Sequence, residues 1–151
     1  MTKERLFNWR FWLQWILATT LGWLLGGAIF PIEIGAGAAI GFLQWLVLRP
    51  FFYQTWWWIA YSAVGWILGW GVLLILPSST VFSGVILGLS MGIAQWIPLR
   101  KWVPQAFWWP LVSALAWMIG FGEVMFGETL IGAIVGVITG ITLELFIRFS
   151  K

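Results

Sequence analysis

Cysteine, histidine and aspartate are absent from the 151 residues, and only 9% of the residues are charged. Without Cys there are no disulfides and no thiolate chemistry. Without His there is no imidazole general base, and the commonest metal ligand is missing. Proteases built on Ser-His, Cys-His or paired Asp are excluded, and no Gly-rich loop ends in a phosphate-binding Lys-Ser or Lys-Thr. Neither catalysis nor a metal is expected. The shortage of charge excludes more than chemistry. A soluble domain of this length carries about a quarter charged residues to wet its surface, so the chain reads as an integral membrane protein.

What the sequence does contain is apolar and aromatic: 62% hydrophobic residues, 18 Gly, 15 Trp and 12 Phe. A spanning helix needs about 17–25 mostly apolar residues. The apolar pattern breaks at Pro50, at Pro77-Ser78-Ser79-Thr80 and at Arg100-Lys101, with softer breaks at Phe30-Pro31-Ile32-Glu33 and from Gly122-Glu123 to Gly127-Glu128. Six helices follow, near 10–29, 31–49, 55–76, 80–99, 105–122 and 129–147. Pro31 suits a first helical turn, where its missing N–H costs nothing, and Ser78 to Thr80 suit a cap. Such short connections make consecutive helices antiparallel hairpins. A cleaved signal peptide over Lys3 to Ala28 is the rival reading of the first segment. The rest of the chain is equally apolar, so that segment is read as a retained span.

Charge placement supports the same count. All eight cations (Lys3, Arg5, Arg10, Arg49, Arg100, Lys101, Arg148 and Lys151) fall at the two ends or in the second and fourth loops. With six spans they share one side, which the positive-inside rule makes the cytoplasm. The net charge of +3 then reflects membrane orientation and calls for no nucleic-acid partner.

Three units repeat within what reads as a single transmembrane domain, over approximately 9–49, 54–100 and 105–148. The odd helices carry Trp15, Thr19, Gly22-Trp23, Gly26; then Trp58, Ser62, Gly65-Trp66, Gly69; then Trp109, Ser113, Ala116-Trp117, Gly120. The even helices carry Gly37, Gly41, Gln44-Trp45, Leu48-Arg49; then Gly88, Gly92, Gln95-Trp96, Leu99-Arg100; then Gly136, Gly140, Leu143-Glu144, Ile147-Arg148. These offsets keep each set on one helical stripe. Gly84 and Gly132 extend two stripes by a turn, at a spacing that lets helix backbones approach closely in lipid. The expected fold is all-α: three like-oriented hairpins in a pseudo-three-fold bundle, both termini cytoplasmic, with the Gly stripes pointing inward. Helix packing is assigned to Gly22, Gly26, Gly37, Gly41, Gly65, Gly69, Gly84, Gly88, Gly92, Gly120, Gly132, Gly136 and Gly140.

Other residues invite a binding role. Gln44 and Gln95 share the Gly stripes and so face helices, either as interhelical hydrogen bonds or as polar contacts to a ligand. Trp23, Trp66, Trp70 and Trp117 lie deep enough to line a groove for a flat ligand. Trp9, Trp12, Trp56, Trp57, Trp102, Trp108 and Trp109 sit near the basic side, where indoles favour the interface. Arg49, Arg100 and Lys101 suit anionic headgroups. Glu144 precedes Arg148 by four residues, the favourable order for an ion pair. Glu123 would be a functional carboxylate within the membrane if its helix continued through Gly122.

The element G-x3-G-x2-Q-W-x3-L-R at Gly37 to Arg49 and Gly88 to Arg100 resembles small Trp-rich multi-pass proteins of cyanobacteria and related bacteria, a group of unassigned function. The resemblance implies a bacterial inner or thylakoid membrane. Tryptophan-rich sensory proteins do not match, because they have five spans, the run Trp56-Trp57-Trp58 lacks their paired prolines and the three-hairpin repeat does not fit them. The expected function is a non-enzymatic membrane subunit. It would pack against a larger membrane complex or bind lipid, carotenoid or another pigment in Gly- and Trp-lined grooves. Its expected partners are membrane lipids and other integral membrane proteins. The alternative is a small transporter or channel, whose central path Gln44, Gln95, Thr19 and Ser62 would line.

Overall fold

The computed structural model describes residues 6–29, 35–76, 79–123 and 127–150. Within them lie six helices and no strand: α1 (Trp9–Ile29), α2 (Ala36–Leu48), α3 (Trp57–Ile75), α4 (Thr80–Leu99), α5 (Trp109–Gly122) and α6 (Glu128–Phe149). Three of them, α3, α4 and α6, are long and apolar enough to cross a bilayer. Ser79 caps α4, its hydroxyl accepting the Phe82 N–H at 3.4 Å. The expected breaks at Pro31, Glu33 and Ser78 lie outside the described residues.

Two helices are shorter than the sequence pattern suggests. A helix over 105–122 is not continuous: Pro104–Trp108 form a 3-10 turn, and α5 starts only at Trp109. Pro110 accounts for this, because its ring is tolerated in a first turn but would clash with the carbonyl four residues back in a continuing helix. The second helix starts at Ala36, after Gly35 in αR conformation, and runs for 13 residues. At about 1.5 Å per residue it covers roughly 20 Å, less than the hydrocarbon thickness of a bilayer.

Each helix packs against its neighbours in the chain, and α6 returns to α1, closing a ring. Close approaches at glycine show how neighbouring helices run against one another. A Cβ on Gly22 would meet Ile40, and one on Gly26 would meet Ala36, so α1 and α2 run antiparallel. The same descending order relates Gly65 and Gly69 to Met91 and Leu87, and Gly132, Gly136 and Gly140 to Thr20, Ile16 and Trp15. The glycines therefore sit between neighbours around the ring. The stripe glycines of α1, α3 and α5 face the helix that follows, as Gly120 faces Ile131. Those of α2, α4 and α6 face the next odd helix: Gly37 and Gly41 lie against Ser62, and Gly84, Gly88 and Gly92 against Trp117, Ser113 and Pro110. The expectation that these stripes point at the centre is corrected, because indoles occupy that position.

Trp15, Trp58 and Trp109 meet edge to face with centroids 6.0–6.4 Å apart. Two turns along, Trp23, Trp66 and Trp117 form a second triangle at 4.9–6.0 Å. Aromatic pairs favour tilted contacts of this kind, each stabilising by about 0.5–1.5 kcal/mol beyond area burial. Around the first triangle pack Phe11, Leu48, Leu99 and Leu143, and around the second Ile40, Leu87, Met91 and Ile131. The outside is aliphatic: Leu13, Leu17, Leu21 and Leu25 form an exposed stripe on α1, as do Leu111, Leu115 and Ile119 on α5. A surface of this kind suits lipid, not water.

Candidate functional site

Between the two indole triangles lies a layer of polar side chains, placed by the one-turn spacing of Trp15 to Thr19 and Trp58 to Ser62. Gln44 is central to it. Its amide donates to Thr19 Oγ1 at 3.0 Å, and its carbonyl accepts the Trp58 Nε1–H at 3.0 Å. Gln95 repeats the arrangement, donating to Ser62 Oγ at 2.8 Å and accepting the Trp109 Nε1–H at 3.0 Å. A longer bond of 3.4 Å from Gln95 Nε2 to Gln44 Oε1 joins the two. Thr19 in turn donates to the Trp15 carbonyl at 2.9 Å. Each glutamine thus ties its own hairpin to the first helix of the next.

At the third corner Leu143 replaces glutamine and supplies no acceptor. Trp15 Nε1–H turns instead to Thr139 Oγ1 at 3.0 Å, one turn earlier on α6, and Thr139 donates onward to the Val135 carbonyl at 2.6 Å. Thr139 was not singled out from sequence. The signal was available, since it is the nearest hydroxyl on the stripe that Leu143 interrupts. The layer is buried throughout, and its side chains bond one another and the helix backbone.

The other candidates separate into core and surface. Trp23, Trp66 and Trp117 are buried against each other and against Phe121, with the Trp23 indole N–H unpartnered. Trp70 is half-buried, and its N–H is also unpartnered. Trp109, expected at the membrane interface, is instead a core residue only 1% exposed. It opens the same stripe as Ser113 and Trp117, and that stripe faces the axis. Trp9, Trp56, Trp57 and Trp108 are exposed.

At the basic end, the Arg49 guanidinium lies over Trp45 at 5.8 Å and that of Arg100 over Trp96 at 4.9 Å, as cation–π pairs allow. A groove of about 350 Å³ runs from Arg49 between Leu17 and Leu21 of α1 and Leu43 and Leu46 of α2. Lys101 lines a second, of about 220 Å³, with Tyr53, Trp57 and Tyr61. α5 runs through Gly122, and Glu123 is its C-cap, its backbone N–H still bonded to the Ile119 and Gly120 carbonyls.

The expected ion pair of Glu144 with Arg148 is not formed either. Glu144 Oε1 accepts the Asn8 backbone N–H at 2.9 Å, Oε2 has no partner, and the Arg148 guanidinium lies over the Phe149 ring at 5.4 Å. The N-terminus of α1 offers free N–H groups and a partial positive charge, and the buried face of α6 delivers Glu144 to it. No protein family, curated protein or solved structure matches this chain.

Proposed function

We propose that this protein is a non-enzymatic, multi-pass membrane subunit: three like-oriented hairpins in a pseudo-three-fold bundle. It would present its outer aliphatic and aromatic surface to lipid and to a larger membrane complex. In this reading all six helices cross the bilayer, the short α2 and α5 with help from their flanking turns. Both ends lie in the cytoplasm, and the membrane is a bacterial inner or thylakoid membrane. The resemblance to small Trp-rich cyanobacterial-type proteins belongs to the same proposal.

One observation carries the reading: the space a solute would need along the axis is filled by six indoles and a layer of hydrogen-bonded polar side chains. A conduit through Thr19, Gln44, Ser62 and Gln95 would require these bonds to part and the indole rings on either side to swing aside. Lipid and partner contacts need no such opening. Grooves next to Arg49 and Lys101, aromatic at one and aliphatic at the other, favour headgroup and acyl-chain contact.

Gentle purification from the native membrane tests this, with an absorption spectrum, lipid analysis and identification of co-purifying membrane proteins. Co-purification with a defined membrane complex, or with retained lipid or pigment, is the expected result. A solitary, colourless protein that moves a solute across liposomes would overturn it.

A further inference from the structure

The third unit departs from the first two at Leu143-Glu144, and next to that departure is a cavity of about 360 Å³. Where Trp45 and Trp96 place indoles under Arg49 and Arg100, Glu144 places a carboxylate that is only 4% exposed. One of its oxygens is matched by the Asn8 N–H, and the other has no partner. An uncompensated carboxylate oxygen away from water is costly, so the site is short of one hydrogen-bond donor, and a cationic donor suits it best. Arg148 lines the same cavity one turn away, which provides for an anion beside that cation. The remaining walls include Leu6, Phe11 and Phe51, and of these Leu6 and Phe51 open to the surroundings. Volume and lining are those of a ligand site, too large for one ion or a few waters.

We infer that this cavity holds the headgroup of a zwitterionic phospholipid bearing a primary ammonium, of the phosphatidylethanolamine type. The lipid comes from the leaflet on the side of the basic residues. The ammonium donates to Glu144 Oε2, the phosphodiester meets Arg148, and the acyl chains leave past Leu6 and Phe51. A quaternary ammonium has no N–H to give Oε2. A purely anionic headgroup would bring its charge next to a carboxylate.

The inference rests on the reading of the chain as a lipid-embedded bundle, but its test is separate. Purified protein in mild detergent is titrated with phosphatidylethanolamine, phosphatidylcholine or phosphatidylglycerol of the same acyl chains, and binding is read by native mass spectrometry and thermal midpoint. Phosphatidylethanolamine should bind about tenfold tighter than phosphatidylcholine, the size of one charge-assisted hydrogen bond. Glu144→Gln should erase that preference. Arg148→Gln, at a partly exposed position, should weaken phosphatidylethanolamine binding without strengthening phosphatidylcholine. Equal binding of phosphatidylcholine or phosphatidylglycerol overturns the inference, as does a Glu144→Gln variant that keeps the preference. If Glu144→Gln fails to fold, the wild-type lipid ratio and Arg148→Gln decide. Solute flux in liposomes would sink the subunit reading and leave this ratio untouched.

Discussion

Thr139 performs for Trp15 what Gln44 and Gln95 perform for Trp58 and Trp109, with one hydroxyl in place of an amide. Thr139→Val keeps the shape and removes the acceptor, leaving a buried indole N–H unmatched. Stability should fall by about 1–3 kcal/mol, the usual cost of such an orphan, read as a thermal or steric-trapping shift in a bilayer mimic. Gln14→Leu is the contrasting case. Gln14 is exposed on α1 in a groove with Leu17 and Leu21, so an apolar replacement should leave stability unchanged or raise it. A Thr139→Val variant as stable as wild type would mean that the polar layer contributes little.

Among whole helices, two glycines of similar sequence context should respond in opposite directions. A Cβ at Gly136 would lie 2.8 Å from Ile16 Cα and 3.2 Å from its carbonyl oxygen. Backbone cannot swing away, so Gly136→Ala must push α6 off α1, at the roughly 1–3 kcal/mol typical of overpacking. Nothing lies within 4 Å of the Cβ position at Gly71 in α3. Gly71→Ala should therefore stabilise by about 0.5–1 kcal/mol through helix propensity, and thermal midpoints of the two variants give the comparison. How much of this was legible in the sequence depended on what a period can encode. The extent of α4 is readable because Ser79 marks its start, whereas α5 is shorter than its apolar pattern because that pattern hides the break imposed by Pro110. The stripes themselves were readable, but a stripe names a face and not its partner. The pattern alone therefore suggests the centre for the glycine faces, whereas indole volume leaves them only the seams between helices. The pairing of Glu144 with Asn8, 136 residues away, has no local signal at all.

For the whole molecule, the proposed orientation rests on where the cations fall. The chain has no Cys, so Arg49→Cys and Arg100→Cys each carry a single reactive thiol. An impermeant maleimide should label both from the cytoplasmic side only. Labelling from opposite sides would dissolve the hairpin count and the symmetry built on it. The ring of helices also closes between α1 and α6, the two described helices farthest apart along the chain. Until α6 emerges, Trp15 has no hydroxyl for its N–H, and the backbone of Ile16 and Thr20 lacks the glycine surface that covers it. A nascent five-helix intermediate thus carries an open flank that fits one particular helix. At high local concentration, the α6 of a neighbouring copy fits that flank as well as the chain's own. Slow release of the last helix should therefore yield interlocked dimers, and rapid release should yield closed monomers.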